Sequence, residues 1–192
     1  MIDRALTFFQ DRLNTYIKIK TGGQKEDVVH FPEIQPPRDL SLPSNTVSIM
    51  LIGLEEERTF RSGANQSQRL GNGVTIDGIS RLCLNLHVMF ISNFTDYVES
   101  LRILSLILKF FRSYRTFDRS NSPALSPEIE KLTTELINLS FMEQGELWRS
   151  LEMPSSPSVL YKVRMLIFED MEMESLETAG DLGAVQAVTE QL

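Results

Sequence analysis

Cys83 and His87 are the nearest approach to a nucleophile and its base in this sequence of 192 residues. They lie in an alternating run that predicts a strand, so both fall on one face of it, about 13 Å apart at ~3.3 Å per residue. A nucleophile and its base must lie within hydrogen-bond distance of each other. We therefore interpret both as ordinary sheet residues. One cysteine and two histidines, with no recognisable ligand spacing, also predict no zinc site, because zinc takes about four ligands.

The acidic run Glu55–Glu57 is the next candidate for chemistry, as an acid/base pair or a cation site. Neighbouring side chains at a strand end point in alternate directions, so only the first and third of these glutamates can converge. A solvated strand end is the interpretation we adopt. The glycines at 71, 73 and 78 lack the lysine and the spacing of a phosphate-binding loop. The sequence thus predicts no active site and no cofactor, and we do not expect an enzyme.

The segment from residue 82 to residue 111 is the part of the chain around which the other elements are organised. Leu82–Ile91 alternates with period two, which predicts a strand. Asp96, with Glu99 three residues later, is typical of a helix start. Apolar residues then recur at three- and four-residue steps as far as Phe111 and occupy most of the helix circumference. We therefore expect this helix to be covered on more than one side.

Periodicity and turn residues predict the remaining elements. The predicted helices are Met1–Lys20, Thr95–Ser113 and Ser140–Leu151, and the predicted strands are Asp27–Phe31, Thr46–Leu54, Leu82–Ile91, Thr116–Asp118, Leu132–Leu139 and Ser158–Phe168. They predict a single domain of the α/β (α+β) class. Its sheet is mixed and mostly antiparallel, with about four main strands packed with two long helices and one short helix. The strand order is open, since residues 82–139 form either a right-handed crossover between parallel neighbours or an antiparallel pair.

Composition places this domain in a reducing compartment and gives it no obvious membrane segment. A single cysteine excludes an intrachain disulfide. The apolar residues among the first twenty are helically spaced between charges, unlike a signal peptide. No window approaches the ~18 uninterrupted apolar residues of a membrane span. We expect a soluble protein with no direct membrane insertion.

The net charge of −7 is concentrated at one end of the sequence. Residues 169–192 contain seven acidic residues and no Lys or Arg, which leaves 19 acidic and 19 basic residues in 1–168. The seven are Glu169, Asp170, Glu172, Glu174, Glu177, Asp181 and Glu190. No clustered basic face is evident, so we expect no nucleic-acid partner. We interpret residues 171–192 as an acidic tail that is either mobile or ordered by a partner.

Several short motifs together resemble the cap proteins, or tube terminators, of contractile injection systems. Those systems are of the virulence-cassette and antifeeding-prophage type, and phage tail terminators are related to them. The motifs are the opening Met1–Asp3 with Leu13-Asn14, Gly53–Glu57, Leu84–Leu86 through Asn93–Tyr97, Phe117-Asp118 with Asn121, and Pro157–Arg164. The resemblance covers residues 1–170, which we take as a cap/terminator domain. His87 departs from it, since an aromatic residue is expected there.

The resemblance implies a structural protein with a phage tail-terminator-like fold. Family members close the baseplate-distal end of the particle as a hexameric ring, so the implied partners are further copies of the chain, the inner tube protein and the sheath protein. Synthesis and assembly are expected in the cytoplasm, in a phage tail-like particle that is released or membrane-anchored. The residues that carry the family signature are Asn93, Phe94, Asp96, Tyr97, Phe117, Asp118 and Tyr161. The alternatives are a phage-tail neck or adaptor protein and a small α/β enzyme.

Two polar segments are the expected assembly interfaces under this interpretation. They are the Gly-, Asn- and Ser-rich loop Arg58–Arg81 and the acidic tail, because irregular surface segments can order against a neighbour by strand addition or by folding on binding. The candidate interface residues are Glu55, Glu56, Glu57, Arg58, Arg61, Arg69, Arg81, Glu172, Glu174 and Glu177.

Overall fold

The computed structural model describes residues 1–23, 27–35, 39–57, 68–69, 75–76 and 81–168. The helices are α1 (Ile2–Lys20), α2 (Tyr97–Ser113) and α3 (Phe141–Ser150). The strands are β1 (Val29–His30), β2 (Glu33–Gln35), β3 (Asp39–Ser41), β4 (Thr46–Glu56), β5 (Gln68–Arg69), β6 (Thr75–Ile76), β7 (Arg81–Asn93), β8 (Thr116–Asp118), β9 (Ile129–Ile137) and β10 (Ser158–Phe168). Among the described residues, no helix is both long and apolar enough to cross a membrane.

Six strands form the main sheet, in the order β1-β4-β7-β10-β9-β8. Only β1 and β4 pair in parallel, and the other four pairs are antiparallel. Four of the strands are long, while β1 and β8 are short edges. The predicted mixed, mostly antiparallel sheet with two long helices and one short helix is confirmed. Two small hairpins, β2–β3 and β5–β6, lie outside this sheet.

The strand order corrects both expectations for the chain from β7 to β9. Strand β10 lies between them and pairs antiparallel with each, so β7 and β9 run in the same direction without being neighbours. They are therefore neither parallel neighbours nor an antiparallel pair. The reason is that β10, which comes later in the chain, pairs with β7 along its whole length, from Ser158 opposite Ile91 to Phe168 opposite Arg81.

The larger core lies between one face of the sheet and helices α1 and α2. Its centre is a group of rings in edge-to-face, tilted or stacked contact, with centroids 4.5 to 6.1 Å apart: Phe8, Phe9, Phe90, Phe110, Phe111, Phe117 and Tyr161. Helix α1 ends at Lys20 and is followed by Gly22 and Gly23, whose φ values of +67° and +79° favour glycine. The Asn14 side chain of α1 hydrogen-bonds the backbone of Val28 and Val29 and so attaches the helix to β1.

A smaller core lies on the opposite face of the sheet, beneath α3. Met50, Met89, Ile91, Trp148 and Leu160 are buried there. Helix α3 begins with a capping box, in which the Ser140 hydroxyl accepts from the Glu143 amide and the Glu143 carboxylate accepts from the Ser140 amide. Leu40 and Leu42 also pack on this core. The connection before β4 therefore covers part of this core.

The first turns of α2 correct the expectation that this helix is covered on more than one side. Its later residues Ile103, Ile107, Phe110 and Phe111 are buried in the larger core. By contrast, the apolar side chains at the start of the helix are exposed to solvent. The apolar spacing was the same in both halves, so only the packing of the sheet and α1 distinguishes the covered half from the uncovered half.

Candidate assembly surface

Four of the predicted interface residues, Glu55, Glu56, Glu57 and Arg81, lie at one end of the strands of the main sheet. We call it the lower edge, where β4 and β10 end and β7 begins. Glu56 lies opposite Leu84, Arg81 lies opposite Phe168, and the Glu57 amide donates to the Cys83 carbonyl at 2.9 Å. The segments 58–67, 77–80 and 169–192 adjoin this edge in the chain. The loop and the acidic tail predicted as interfaces are thus attached to the sheet side by side.

Only part of the predicted interface falls within the described residues. Glu55 and Glu56 are exposed, and Glu57 is half-buried. The backbone of Arg69 lies in β5, which pairs with β6, and the backbone of Arg81 begins β7. Arg58, Arg61, Glu172, Glu174 and Glu177 lie outside the described residues. Their assignment to an interface stays a prediction.

Glu57, Cys83 and Arg164 form a closed set of polar contacts at the lower edge. The Arg164 guanidinium lies 2.6 Å from one Glu57 oxygen and donates through Nε to the Cys83 sulfur at 3.4 Å. The Cys83 thiol in turn donates to the other Glu57 oxygen at 3.6 Å. The hydrogen bond to Cys83 and the charge of Glu57 raise the pKa of Arg164. The contacts join the ends of three strands, so we interpret Glu57 and Cys83 as structural residues.

The His87 ring lies against Gly53 of β4. A Cβ atom built on Gly53 would lie 3.0 Å from the His87 ring nitrogen Nδ1, so the imidazole occupies the space that a side chain at position 53 would need. This close approach coincides with the irregular register between Leu51 and Gly53. No hydrogen bond joins the ring to the Cys83 thiol, whose partners are Glu57 and Arg164. Within the described residues, no group of three or more His, Cys, Asp or Glu side chains could hold a metal ion.

Three of the seven predicted signature residues build the junction between β7 and α2. The Asn93 side-chain amide donates to the Leu42 and Pro43 carbonyls at 3.0 and 3.2 Å, which attaches the junction to the chain before β4. Asp96 is the N-cap of α2 and accepts from the Val98 amide at 2.9 Å. The Phe94 amide donates to the Ser100 hydroxyl, and the Phe94 ring packs against the larger core. These residues fix the angle at which the helix leaves the sheet.

The remaining signature residues have different roles. Asp118 accepts from the Ser120 amide and hydroxyl and from the Asn121 amide, and these hydrogen bonds, the Ser120 hydroxyl foremost, lower the pKa of its carboxyl. Phe117 and Tyr161 are buried in the larger core. Tyr97 is the one aromatic signature residue whose side chain is largely exposed. It is therefore the signature residue best placed to contact another molecule.

The exposed apolar side chains at the opposite edge were missed by the sequence analysis. We call them together the upper apolar patch: Tyr97 (64% exposed), Val98 (71%) and Leu101 (42%) on α2, and Phe141 (95%) and Met142 (77%) on α3, which packs on the opposite face of the sheet. Because β7 and β9 run in the same direction, the helices that follow them both begin at this upper edge. Apolar residues at helical spacing usually indicate core, and no feature of the sequence marks these as uncovered.

The sequence matches a family model over residues 5–178, that of the Pvc16 N-terminal domain. The chain belongs to the Pvc16 N-terminal domain family. The match includes residues 171–178 of the predicted tail. The resemblance inferred from the sequence motifs is confirmed by this match. No curated protein matches the sequence.

Two solved structures contain chains that are similar to this chain. One is the cryo-EM structure of the sheath/tube terminator of an extracellular contractile injection system, PVC, in the extended state. The two chains share 17% sequence identity and superpose with a TM-score of 0.58, and the match covers 100% of this chain and 64% of that chain. The other is the tube-terminating cap of the anti-feeding prophage, with a TM-score of 0.49, 12% identity and coverage of 94% and 60%. At these identities the first likeness shows a shared fold. This chain spans less than two thirds of either.

Tyr161→Phe should reduce the loss of folding stability that this chain undergoes at alkaline pH. Burial raises the pKa of the Tyr161 phenol to about 12, whereas an unfolded tyrosine titrates near pH ~10. The stability that this group contributes is therefore complete below about pH 10 and is lost as the pH rises toward about 12. The free energy of unfolding, measured with urea at about pH 9 and about pH 11.5, should fall between these two pH values in both proteins. The fall should be smaller in the variant than in the parent by up to about 2 kcal/mol.

The exposed Tyr97 provides the control for this measurement. Tyr97→Phe removes the same hydroxyl from a solvated position and should leave the pH dependence of the parent unchanged. If Tyr161→Phe and the parent lose equal stability over this pH range, burial of the phenol does not contribute to alkaline unfolding.

Proposed function

We propose that this chain is a structural cap protein that terminates the inner tube and the sheath of a contractile injection system at the baseplate-distal end. It acts as a hexameric ring that contacts the inner tube protein and the sheath protein. The observation that carries this proposal is the superposition of the whole chain on a sheath/tube terminator, supported by the family match. The protein is made and assembled in the cytoplasm and becomes part of the particle.

The distribution of exposed groups supports an assembly role. A cyclic ring uses a heterologous interface, in which one surface of each subunit meets a different surface of its neighbour. The described residues offer two different surfaces at opposite ends of the strands, a charged lower edge and the upper apolar patch. Both are available to neighbours in the same or the adjacent layer of a particle.

Deleting this protein from a particle-producing strain tests the proposal directly. Without a terminator, we expect tubes whose lengths spread widely, since no subunit ends their growth. Negative-stain microscopy of purified particles measures the length distribution, and expression of the intact chain from a plasmid should restore a narrow one. Tubes of normal, uniform length in the deletion strain would argue against the cap role.

Cys83→Ser combined with His87→Gln tests the enzyme alternative. We expect the double variant to restore tube length as well as the parent does, because these residues contact neighbouring strands rather than each other. Serine retains a hydrogen-bonding group for Arg164 and Glu57, and glutamine is compatible with the partly exposed position of His87. A folded double variant that fails to restore tube length would assign these residues a role beyond structure.

A further inference from the structure

Three arginines line one groove where α1, the end of α2 and β8 meet. The groove has a volume of about 450 Å³, a size typical of small-ligand sites. Arg12, Arg112 and Arg115 are the only charged side chains among its described lining residues. Its walls also carry hydroxyl groups, those of Ser113, Thr116 and Ser122 among them. The described part of the groove is therefore cationic and rich in hydrogen-bond donors.

The three groove arginines lack the partners that other arginines of the chain have. The Arg4 guanidinium lies 2.6 Å from a Glu128 oxygen, and the Arg164 guanidinium lies 2.6 Å from a Glu57 oxygen. By contrast, none of the three groove arginines forms an ion pair with a described residue. The Nε atom of Arg12 is also buried without a hydrogen-bond partner, although buried donors usually have one. Like charges held together without counter-charges are unfavourable, so an anion in the groove would stabilise this arrangement.

The negative groups near the groove are weaker than its three positive charges. Asp11 lines an adjoining groove beside Arg4, and Glu135 lines another beside Tyr161. Both carboxylates are exposed, so water and salt screen them from a ligand in the arginine groove. The C-terminal end of α2 also opposes an anion, but its dipole is equivalent to only about half a negative charge. The three guanidinium charges outweigh it.

Charge and donor number select a phosphate group as the ligand. A phosphate group carries about 1.5–2 negative charges at pH 7 and three strong acceptor oxygens, whereas a carboxylate carries a single charge on two oxygens. Guanidinium groups bind phosphate oxygens in pairs through their planar fork of N–H donors. We propose that a phosphate group binds in this groove, held by the guanidinium groups of Arg12, Arg112 and Arg115. The hydroxyl groups on the walls supply further donors.

The bound phosphate would link two helices and an edge strand that are far apart in the chain. A ligand that binds only the folded chain stabilises it by mass action, so the groove would couple the stability of the subunit to the phosphate concentration. The inference does not depend on the cap role. It assigns a ligand to the isolated subunit, whatever the subunit assembles into.

Titration of the full chain with inorganic phosphate, followed by ¹H–¹⁵N NMR at constant ionic strength, tests the proposal. The Nε–H group of Arg12 is a direct probe, because burial slows its exchange with water. We expect this signal and the backbone amides of 113–116 to shift and to saturate with a Kd of about 1 mM. Pyrophosphate is the second ligand. Tighter binding of pyrophosphate would identify linked phosphates as the ligand, and weaker binding would identify a single phosphate.

Arg112→Gln with Arg115→Gln should raise the Kd for phosphate at least about tenfold, since each charge-assisted hydrogen bond contributes about that factor or more. Both side chains are exposed, so the fold should remain intact, which urea unfolding verifies. The control is Arg102→Gln with Arg149→Gln. It removes two positive charges from exposed helical positions outside the groove and should leave the Kd unchanged.

Three outcomes would overturn the proposal. Shifts that rise linearly without saturating at about 100 times the expected Kd would show that the groove has no specific site. An equal rise of the Kd in the control variant would assign the effect to overall charge. Acetate that binds as tightly as phosphate at the same ionic strength would make the groove a carboxylate site instead.

Discussion

Phe111→Ala should lower the free energy of unfolding by about 3–5 kcal/mol, as expected when a large buried ring is removed from a packed core. The Phe111 ring is almost fully buried. Its centroid lies 4.5 Å from that of Tyr161, 5.1 Å from Phe110, 5.3 Å from Phe90 and 5.5 Å from Phe9. These neighbours come from both long helices and from two central strands, so the cavity would lie where all four elements meet and no single one can move to fill it.

Urea unfolding followed by circular dichroism measures this loss. Phe141→Ala is the matched control, because it removes the same ring from a side chain that is 95% exposed and should change stability by less than about 0.5 kcal/mol. A loss below about 1 kcal/mol for Phe111→Ala would mean that the aromatic cluster relaxes around the cavity, contrary to a closely packed core.

The secondary structure of the long elements could be predicted from the sequence because each of them has a buried face with its own period. The alternation in Ser158–Phe168 predicts β10 with the bounds that the structure shows, and the start of α2 predicted at Thr95 lies two residues from the observed Tyr97. The strand order could not be predicted. Pairing joins residues far apart in the chain, and alternation shows that a strand is buried without showing which neighbour covers it.

The candidate surfaces were predictable only where they depend on local chemistry. Glu55–Glu57 marks a strand end, and the structure places it there. Its partner Arg164 lies 107 residues beyond Glu57. No periodicity links such positions. The upper apolar patch was missed for a related reason, since apolar spacing predicts a contact and leaves open whether the contact lies within the subunit or with another molecule.

Tyr97→Ser combined with Phe141→Ser should reduce the amount of this protein retained in purified particles by at least about tenfold. Exposed apolar patches on soluble domains commonly mark interaction sites, and aromatic residues are enriched among those that dominate binding energy, where a loss of about 1.4 kcal/mol is tenfold in affinity. Both side chains lie at the upper edge and contribute little to either core. The fold should therefore remain intact while assembly is impaired.

Immunoblots of purified particles against total protein measure retention, with urea unfolding to verify stability. The control is Ile19→Ser, which removes an exposed apolar side chain of α1 outside the patch and should leave retention unchanged. Equal retention of the double variant and the parent would exclude the patch as an assembly contact. If retention falls while stability holds, the upper apolar patch is an assembly surface, because Tyr97 and Phe141 are then dispensable for folding and required for assembly.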